Sequence, residues 1–152
     1  MRIPLRIAKR FDQWMPFISL VVRATHIRPI PIEALVDTGS PWIAITPKDV
    51  LRLGISIKRL KRATKYPIVS LAGHKFERYL LKGTVFVEDE EGQIVRIDMP
   101  ISILWSTKKR WPDEIKEIPS VLGIDFLTIG RFQLHFNPSK KIAYLERTGL
   151  LE

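Results

Sequence analysis

Apolar, β-branched residues run almost unbroken from Phe17 to Thr25, "FISLVVRAT", and the same character returns from Pro31 to Val36 after the proline-rich turn "HIRPIP". Two such runs bounded by turn residues predict a hairpin, whose second strand leads straight into Asp37. The pattern then changes. In "TPKDVLRLG", Thr46 stands as an N-cap, Pro47 at the first helical position, Asp49 in the capping-box position and Gly54 as a stop, which predicts a short helix. Strand character resumes from Tyr66 to Leu71 and from Phe76 to Leu81 around "AGHK", and in "TVFV" and "IVRI" around the acidic turn "EDEEGQ", predicting two further hairpins. After the extended "MPISIL", the polar segment "WSTKKRWPDEIKEIP" reads as a surface loop with a helical turn. "SVLGIDFLTIG" starts as an apolar strand, passes a glycine and continues as a short helix ending at Gly130. "RFQLHF" and "KIAYLE" then flank the turn "NPSK". The expected chain is mostly β with two short helices.

Composition narrows the picture. At 152 residues, 45% hydrophobic and 27% charged, the chain has enough apolar material for one core and is expected to form a single domain, residues 1–152. No internal repeat is visible. The basic start "MRIPLRIAKRFDQWMPFISLVV" lacks a small-residue cleavage site, and no apolar run approaches the roughly 18 residues of a membrane span, so a soluble, cytoplasmic protein without membrane contact is expected. The absence of cysteine excludes disulfides, thiolate metal sites and a cysteine nucleophile. His26, His74 and His135 stand far apart without metal-ligand spacing and read as surface or turn residues. No metal and no cofactor are expected. A single asparagine, Asn137, beside abundant Ile, Lys and Arg is the composition of a heat-adapted protein.

The net charge of +9 would attract nucleic acid or other anions. Its concentrations, Lys58-Arg59-Leu60-Lys61-Arg62 and Lys108-Lys109-Arg110, lack the interleaved aromatic residues of a stacking platform, so a solvated face is the preferred reading. Nucleic-acid binding is kept as a weaker alternative.

Asp37-Thr38-Gly39 on its own is weak evidence, since Asp, Gly and Ser are ordinary turn formers. Its context is more specific. "ALVDTGSPWIAITP" sets the triplet between two apolar strands ahead of a helix, "VLGIDFL" supplies a second strand, glycine and helix, and the hairpin "YPIVSLAGHKFERYLL" lies between them. In this order, from about Phe17 to Leu145, the chain resembles the retroviral-type (retropepsin-like) aspartic proteases, in particular prokaryotic single-domain members. The resemblance implies an acid-protease fold, all-β and built on a mainly antiparallel closed β-barrel. It implies that Asp37 is the catalytic carboxylate, that Thr38 braces the loop across a dimer axis, and that Gly39 lets substrate backbone approach. Ser40 would occupy the place where pepsin-like relatives bond the carboxylate with a hydroxyl, and Val121-Leu122-Gly123 would pack behind the loop. Two departures accompany it: Pro41 and Ile124 stand where retroviral relatives carry an acid and its arginine partner. Asp125 is read as a cap or first-turn acid.

Metal-free peptide hydrolysis needs one group to activate water and another to protonate the carbonyl oxygen and leaving amine. Two carboxylates close enough to share a proton divide these roles between them. This chain holds no second Asp-Thr-Gly or Asp-Ser-Gly, so activity requires a homodimer that places Asp37 against its copy. A peptide or protein is the expected substrate. Leu71, Ala72, Gly73 and His74, at the tip of the central hairpin, form the expected flap, with His74 exposed and not catalytic. Trp42, Ile43, Leu71 and Ile101 suit an apolar cleft as well as a core. The alternative function is a non-catalytic dimerisation or binding module on the same fold.

Overall fold

The computed structural model describes residues 1–60, 64–106 and 108–147. Strands β1 (Arg2–Pro4), β2 (Arg6–Arg10), β3 (Gln13–Arg23) and β4 (Ile32–Val36) follow one another. They are succeeded by β5 (Ala44–Ile45) and helices α1 (Pro47–Arg52) and α2 (Ile57–Leu60). The middle of the chain is β6 (Thr64–Leu71), β7 (His74–Glu88) and β8 (Ile94–Trp105). Helix α3 (Asp113–Glu117), β9 (Ser120–Leu122), α4 (Ile124–Gly130), β10 (Phe132–Asn137) and β11 (Ile142–Arg147) complete it, with a 3₁₀ turn at Pro138–Lys140. The structure is mostly β, as its sequence suggests. Among the described residues it holds four short α-helices: the two expected, α3 of five residues where a helical turn was expected in the polar loop, and α2 of four residues, which was not expected.

Eight strands form one sheet in the order β2-β3-β4-β9-β5-β8-β7-β6, and an additional β3–β7 pairing ties its two halves together. The order ends at β2 and β6, so the sheet keeps two edges. Pairing is antiparallel except for β4 with β9 and β5 with β8. Alternation explains the register: in β8, Val95, Ile97, Met99 and Ile101 turn inward while Arg96, Asp98 and Pro100 face out. The two hairpins expected around "AGHK" and "EDEEGQ" share one continuous strand, β7, whose 15 residues pair with both neighbours.

The terminal strands make a second sheet, β1-β11-β10, that contributes fully buried Ile3 and Leu145 to the main core. No pattern in the short "RIP" announces this pairing. Ile43 and Ile101, two of the cleft candidates, are wholly buried in that same core. A smaller cluster of Ala44, Phe76, Leu104, Ile115 and Ile118 gathers the base of the central hairpin and the segment around α3.

Helix α1 starts at Thr46 and Pro47 as expected, but its cap is not a capping box. Thr46 makes no side-chain cap bond. Its hydroxyl donates to the Ile118 carbonyl at 2.7 Å, while its N–H donates to Ser120 Oγ at 3.1 Å. Ser120 in turn donates to Asp49 Oδ2 at 2.6 Å. A serine from β9 has entered between the two residues that would otherwise cap each other, which joins α1 to the strand behind the Asp37 loop. Of the histidines, His26 is exposed in a turn, whereas His135 is half-buried on β10 with its ring stacked on Tyr144. The surface-or-turn reading does not describe His135, because strand alternation there turns its ring against a neighbour.

Candidate active site

Strand β4 delivers Asp37 to a tight turn. The Asp37 N–H donates to the Leu122 carbonyl at 3.0 Å, extending the β4–β9 pairing one residue beyond Val36↔Leu122. The chain then doubles back through a Ser40 N–H to Asp37 carbonyl bond of 3.1 Å. Asp37 Oδ1 accepts the Gly39 N–H at 2.8 Å, so the carboxylate is oriented by its own loop. A Cβ on Gly39 would lie 3.1 Å from that same oxygen, crowding the carboxylate. Asp37 is half-buried, and Thr38 and Gly39 are exposed.

The loop is backed by Gly123. A Cβ there would stand 2.5 Å from the Trp42 carbonyl oxygen and 2.6 Å from that of Ser40, so only glycine fits. The fit is sealed by the Ile124 N–H donating to the Ser40 carbonyl at 2.9 Å. The structure thus brings Asp37, Thr38, Gly39, Ser40, Leu122 and Gly123 into one locale. Ser40 departs from its expected role: its hydroxyl donates to the Trp42 carbonyl at 2.8 Å, not to Asp37. The reversal of the chain at Pro41 brings that carbonyl within reach, so the serine braces the loop instead of the carboxylate.

Two charged residues complete the surroundings, Asp125 and Arg78, of which only Arg78 was overlooked in the sequence. Asp125, expected as a simple first-turn acid, accepts the N–H of its neighbour Phe126 at 2.7 Å and also that of Ile43 at 2.8 Å, pinning α4 to the strand after the loop. Burial raises its pKa above the ordinary carboxylate value; these N–H donors and the nearby Arg78 act in the opposite direction. Arg78, buried on β7, lays its guanidinium over the Trp42 ring at 3.6 Å and donates from Nε to Ser102 Oγ at 2.9 Å. The cation beside the loop is therefore supplied by β7, where Ile124 leaves none after Gly123. Its only signal was an arginine beside a glutamate in the strand "FERYLL".

The β6–β7 hairpin ends in a two-residue turn, with Ala72 at φ 52° and Gly73 at φ 80°. Both tip residues are exposed, whereas Leu71 packs on the smaller cluster near Trp111. His74 was expected to be exposed but is mostly covered, with Nε2 3.5 Å from Glu114 of α3. The reason is tertiary, since α3 sits against the hairpin. Further along β7, Tyr79 donates its hydroxyl to Glu77, and burial followed by that carboxylate pushes its pKa up to about 12.

Lys58 and Arg59 lie exposed on α2, while Lys61 and Arg62 fall outside the described residues. Among the described residues, no group of three or more His, Asp or Glu side chains is gathered as a metal site requires, and no helix is long and apolar enough to cross a membrane.

No family model matches the chain, and no curated protein matches it. Among solved structures, it is similar to a retropepsin-like aspartic protease from Rickettsia conorii, with a TM-score of 0.56 at 18% sequence identity. The match covers 95% of this chain and 88% of that one. The likeness is one of fold, and it extends over nearly the whole chain.

Proposed function

We propose that the chain is an aspartic endopeptidase that works as a homodimer, with Asp37 of each subunit forming the catalytic pair. The observation that carries this reading is the Asp37 loop: a carboxylate at the end of a buried strand, oriented by the Gly39 N–H at 2.8 Å and backed by a glycine with no room for a side chain. The fold likeness to a retropepsin-like protease supports it. In the same proposal, the β3–β7 pairing joins β3-β4-β9-β5-β8-β7 into the barrel of that fold, with β2 and β6 as edge strands outside it.

Each chain supplies one such carboxylate, and the exposed Thr38 and Gly39 leave a face for the second copy to cover. Brought together, two carboxylates share one proton, because both cannot ionise at close range. The ionised one takes a proton from water as the water attacks the peptide carbonyl; the protonated one donates to the carbonyl oxygen. The resulting tetrahedral intermediate collapses as a proton passes to the leaving amine. The couple titrates as a unit. Leu71 to His74 would close over the bound peptide and exclude water.

The test is cleavage of a peptide library by wild type and Asp37→Asn, with sedimentation of both. A dimer whose activity disappears with the substitution, and which a statine-type analogue inhibits, is expected. Equal cleavage by both proteins would end the proposal.

One observation favours a second reading, a non-catalytic binding module. Leu71 packs on the cluster that contains Ile115, with Trp111 against the same cluster, and His74 pairs with Glu114, so the 111–118 segment lies against the hairpin that would have to admit substrate. A well-formed dimer that binds neither peptide nor statine analogue is the outcome that selects this alternative.

A further inference from the structure

The hairpin of β2 and β3 ends at Phe11 and Asp12, both in the left-handed region, at φ 51° and 60°. Asparagine and glycine suit such a turn; a phenylalanine strains it. Packing does not compensate for the strain, because Phe11 is 70% exposed, and Trp14, just beyond the turn, is 56% exposed. Each ring has a cation beside it: Arg10 lies 5.6 Å from the Phe11 ring and Lys9 lies 6.0 Å from that of Trp14. On one side of the hairpin, a cavity of about 260 Å³ is lined by Arg6, Lys9, Arg10 and Lys48, with Glu33 as the acid among them. Glu33 is engaged by Arg6. On another side, Trp14 borders a hollow of about 340 Å³ with Leu5, Ile7, Ala143 and Lys141.

We infer that this hairpin tip docks the protein onto an anionic phospholipid surface, with Phe11 and Trp14 entering the interfacial layer and the cationic cavity receiving a phosphate-bearing headgroup. Aromatic rings settle at the headgroup level of a bilayer, and lysines and arginines close to the surface add attraction to anionic lipid. The chemistry on the page fits that pairing. Two rings sit at a projecting tip, cations flank them on both sides, and Asp12 is the one acid at the turn. Single-stranded nucleic acid asks instead for rings spaced along a basic groove. A second copy of the chain would bring like charges face to face. Such a contact lies on the membrane without crossing it, and it departs from the expectation of a protein without membrane contact. A dimer would present the tip twice and strengthen binding through avidity.

The experiment is co-sedimentation of the full chain with vesicles of phosphatidylcholine alone and of phosphatidylcholine with phosphatidylserine, at low and high salt. Binding is expected only with phosphatidylserine, weakened by salt, with a blue shift of tryptophan emission that disappears in Trp14→Phe. Lys9→Gln/Arg10→Gln should lower the affinity by roughly 10-fold or more. Phe11→Asn relieves the turn, so it should melt no lower than wild type while losing most vesicle binding. Asp37→Asn should bind vesicles like wild type, which separates this result from the fate of the protease reading. The inference is overturned by vesicle binding that ignores Phe11→Asn and the lysine–arginine pair, or by no binding to phosphatidylserine. It is equally overturned if these variants abolish retention of an oligothymidine while vesicles are ignored.

Discussion

At Gly123 an added Cβ would collide with two backbone carbonyls, whereas at Gly73, on the tip of the central hairpin, it would meet nothing within 4 Å. Gly73 is constrained only by its backbone angle of 80°. The Asp37 loop is surrounded by backbone that cannot yield: the Leu122, Ser40 and Trp42 carbonyls each take a hydrogen bond in or beside it. The hairpin tip is held by side chains, Leu71 on the smaller cluster and His74 near Glu114. The carboxylate is thus gripped by backbone, and the segment proposed as the flap is held by contacts that can be exchanged. This is the division that the proposed reaction requires.

The largest expected effect tests the loop as a chemical centre. Asp37→Asn should lower peptide cleavage by at least about 10²- to 10⁴-fold, the range of a lost proton-transfer group, while leaving the melting curve unchanged within error. Parallel loss of folding and activity would make Asp37 a structural residue.

The glycine contrast comes next. Gly123→Ala forces backbone apart and should destabilise by about 3 kcal/mol or more. Gly73→Ala strains one turn and should cost about 1 kcal/mol. Urea melts of the two variants decide it, and equal losses would remove the distinction between the regions.

Asp125 sharpens the loop side. Asp125→Ala leaves the N–H of buried Ile43 without its acceptor and should cost about 1–3 kcal/mol. Asp125→Asn keeps an acceptor and loses the charge. An acid whose folded pKa is raised is fully tolerated below its unfolded pKa, where both states hold the proton. As pH climbs from the ordinary carboxylate value through the raised one, the unfolded chain releases its proton first and wild type loses stability. The asparagine variant should therefore gain on wild type across that window and hold a constant margin above it. Melts over a pH series that run parallel throughout would contradict the burial effect.

The smallest effect belongs to the hairpin. Glu114 is largely exposed, so Glu114→Gln should change stability by less than about 0.5 kcal/mol. Hydrogen exchange at residues 69–76 should nevertheless quicken if the pair holds the tip against α3. Unchanged protection would leave the apolar contacts of Leu71 as the restraint.

Much of this was legible locally. The apolar run into Asp37, the turn after it, the proline start of α1 and the strand–glycine–helix step at Leu122–Ile124 depend on neighbours within a few residues, and the structure has each in its place. Where a partner came from afar, the local pattern misled. Thr46 and Asp49 have the spacing of a capping box, yet Ser120 intercepts both. Ser40 misled for a local reason instead, because the Trp42 carbonyl two residues on takes its hydroxyl. His74 stands in a polar turn, yet α3 covers it.

The amino-acid order alone determined that the chain would be mostly β, that an acid would close a buried strand, and that only one Asp-Thr-Gly would be present, because residue type and spacing act through the adjacent backbone. Tertiary structure alone decided that Arg78 would lie on Trp42, that Asp125 would hold Ile43, and that β1 would pair with β11 at the far end of the chain. Those contacts depend on which faces of separate strands meet, and alternation says which side chains share a face without saying what that face will touch.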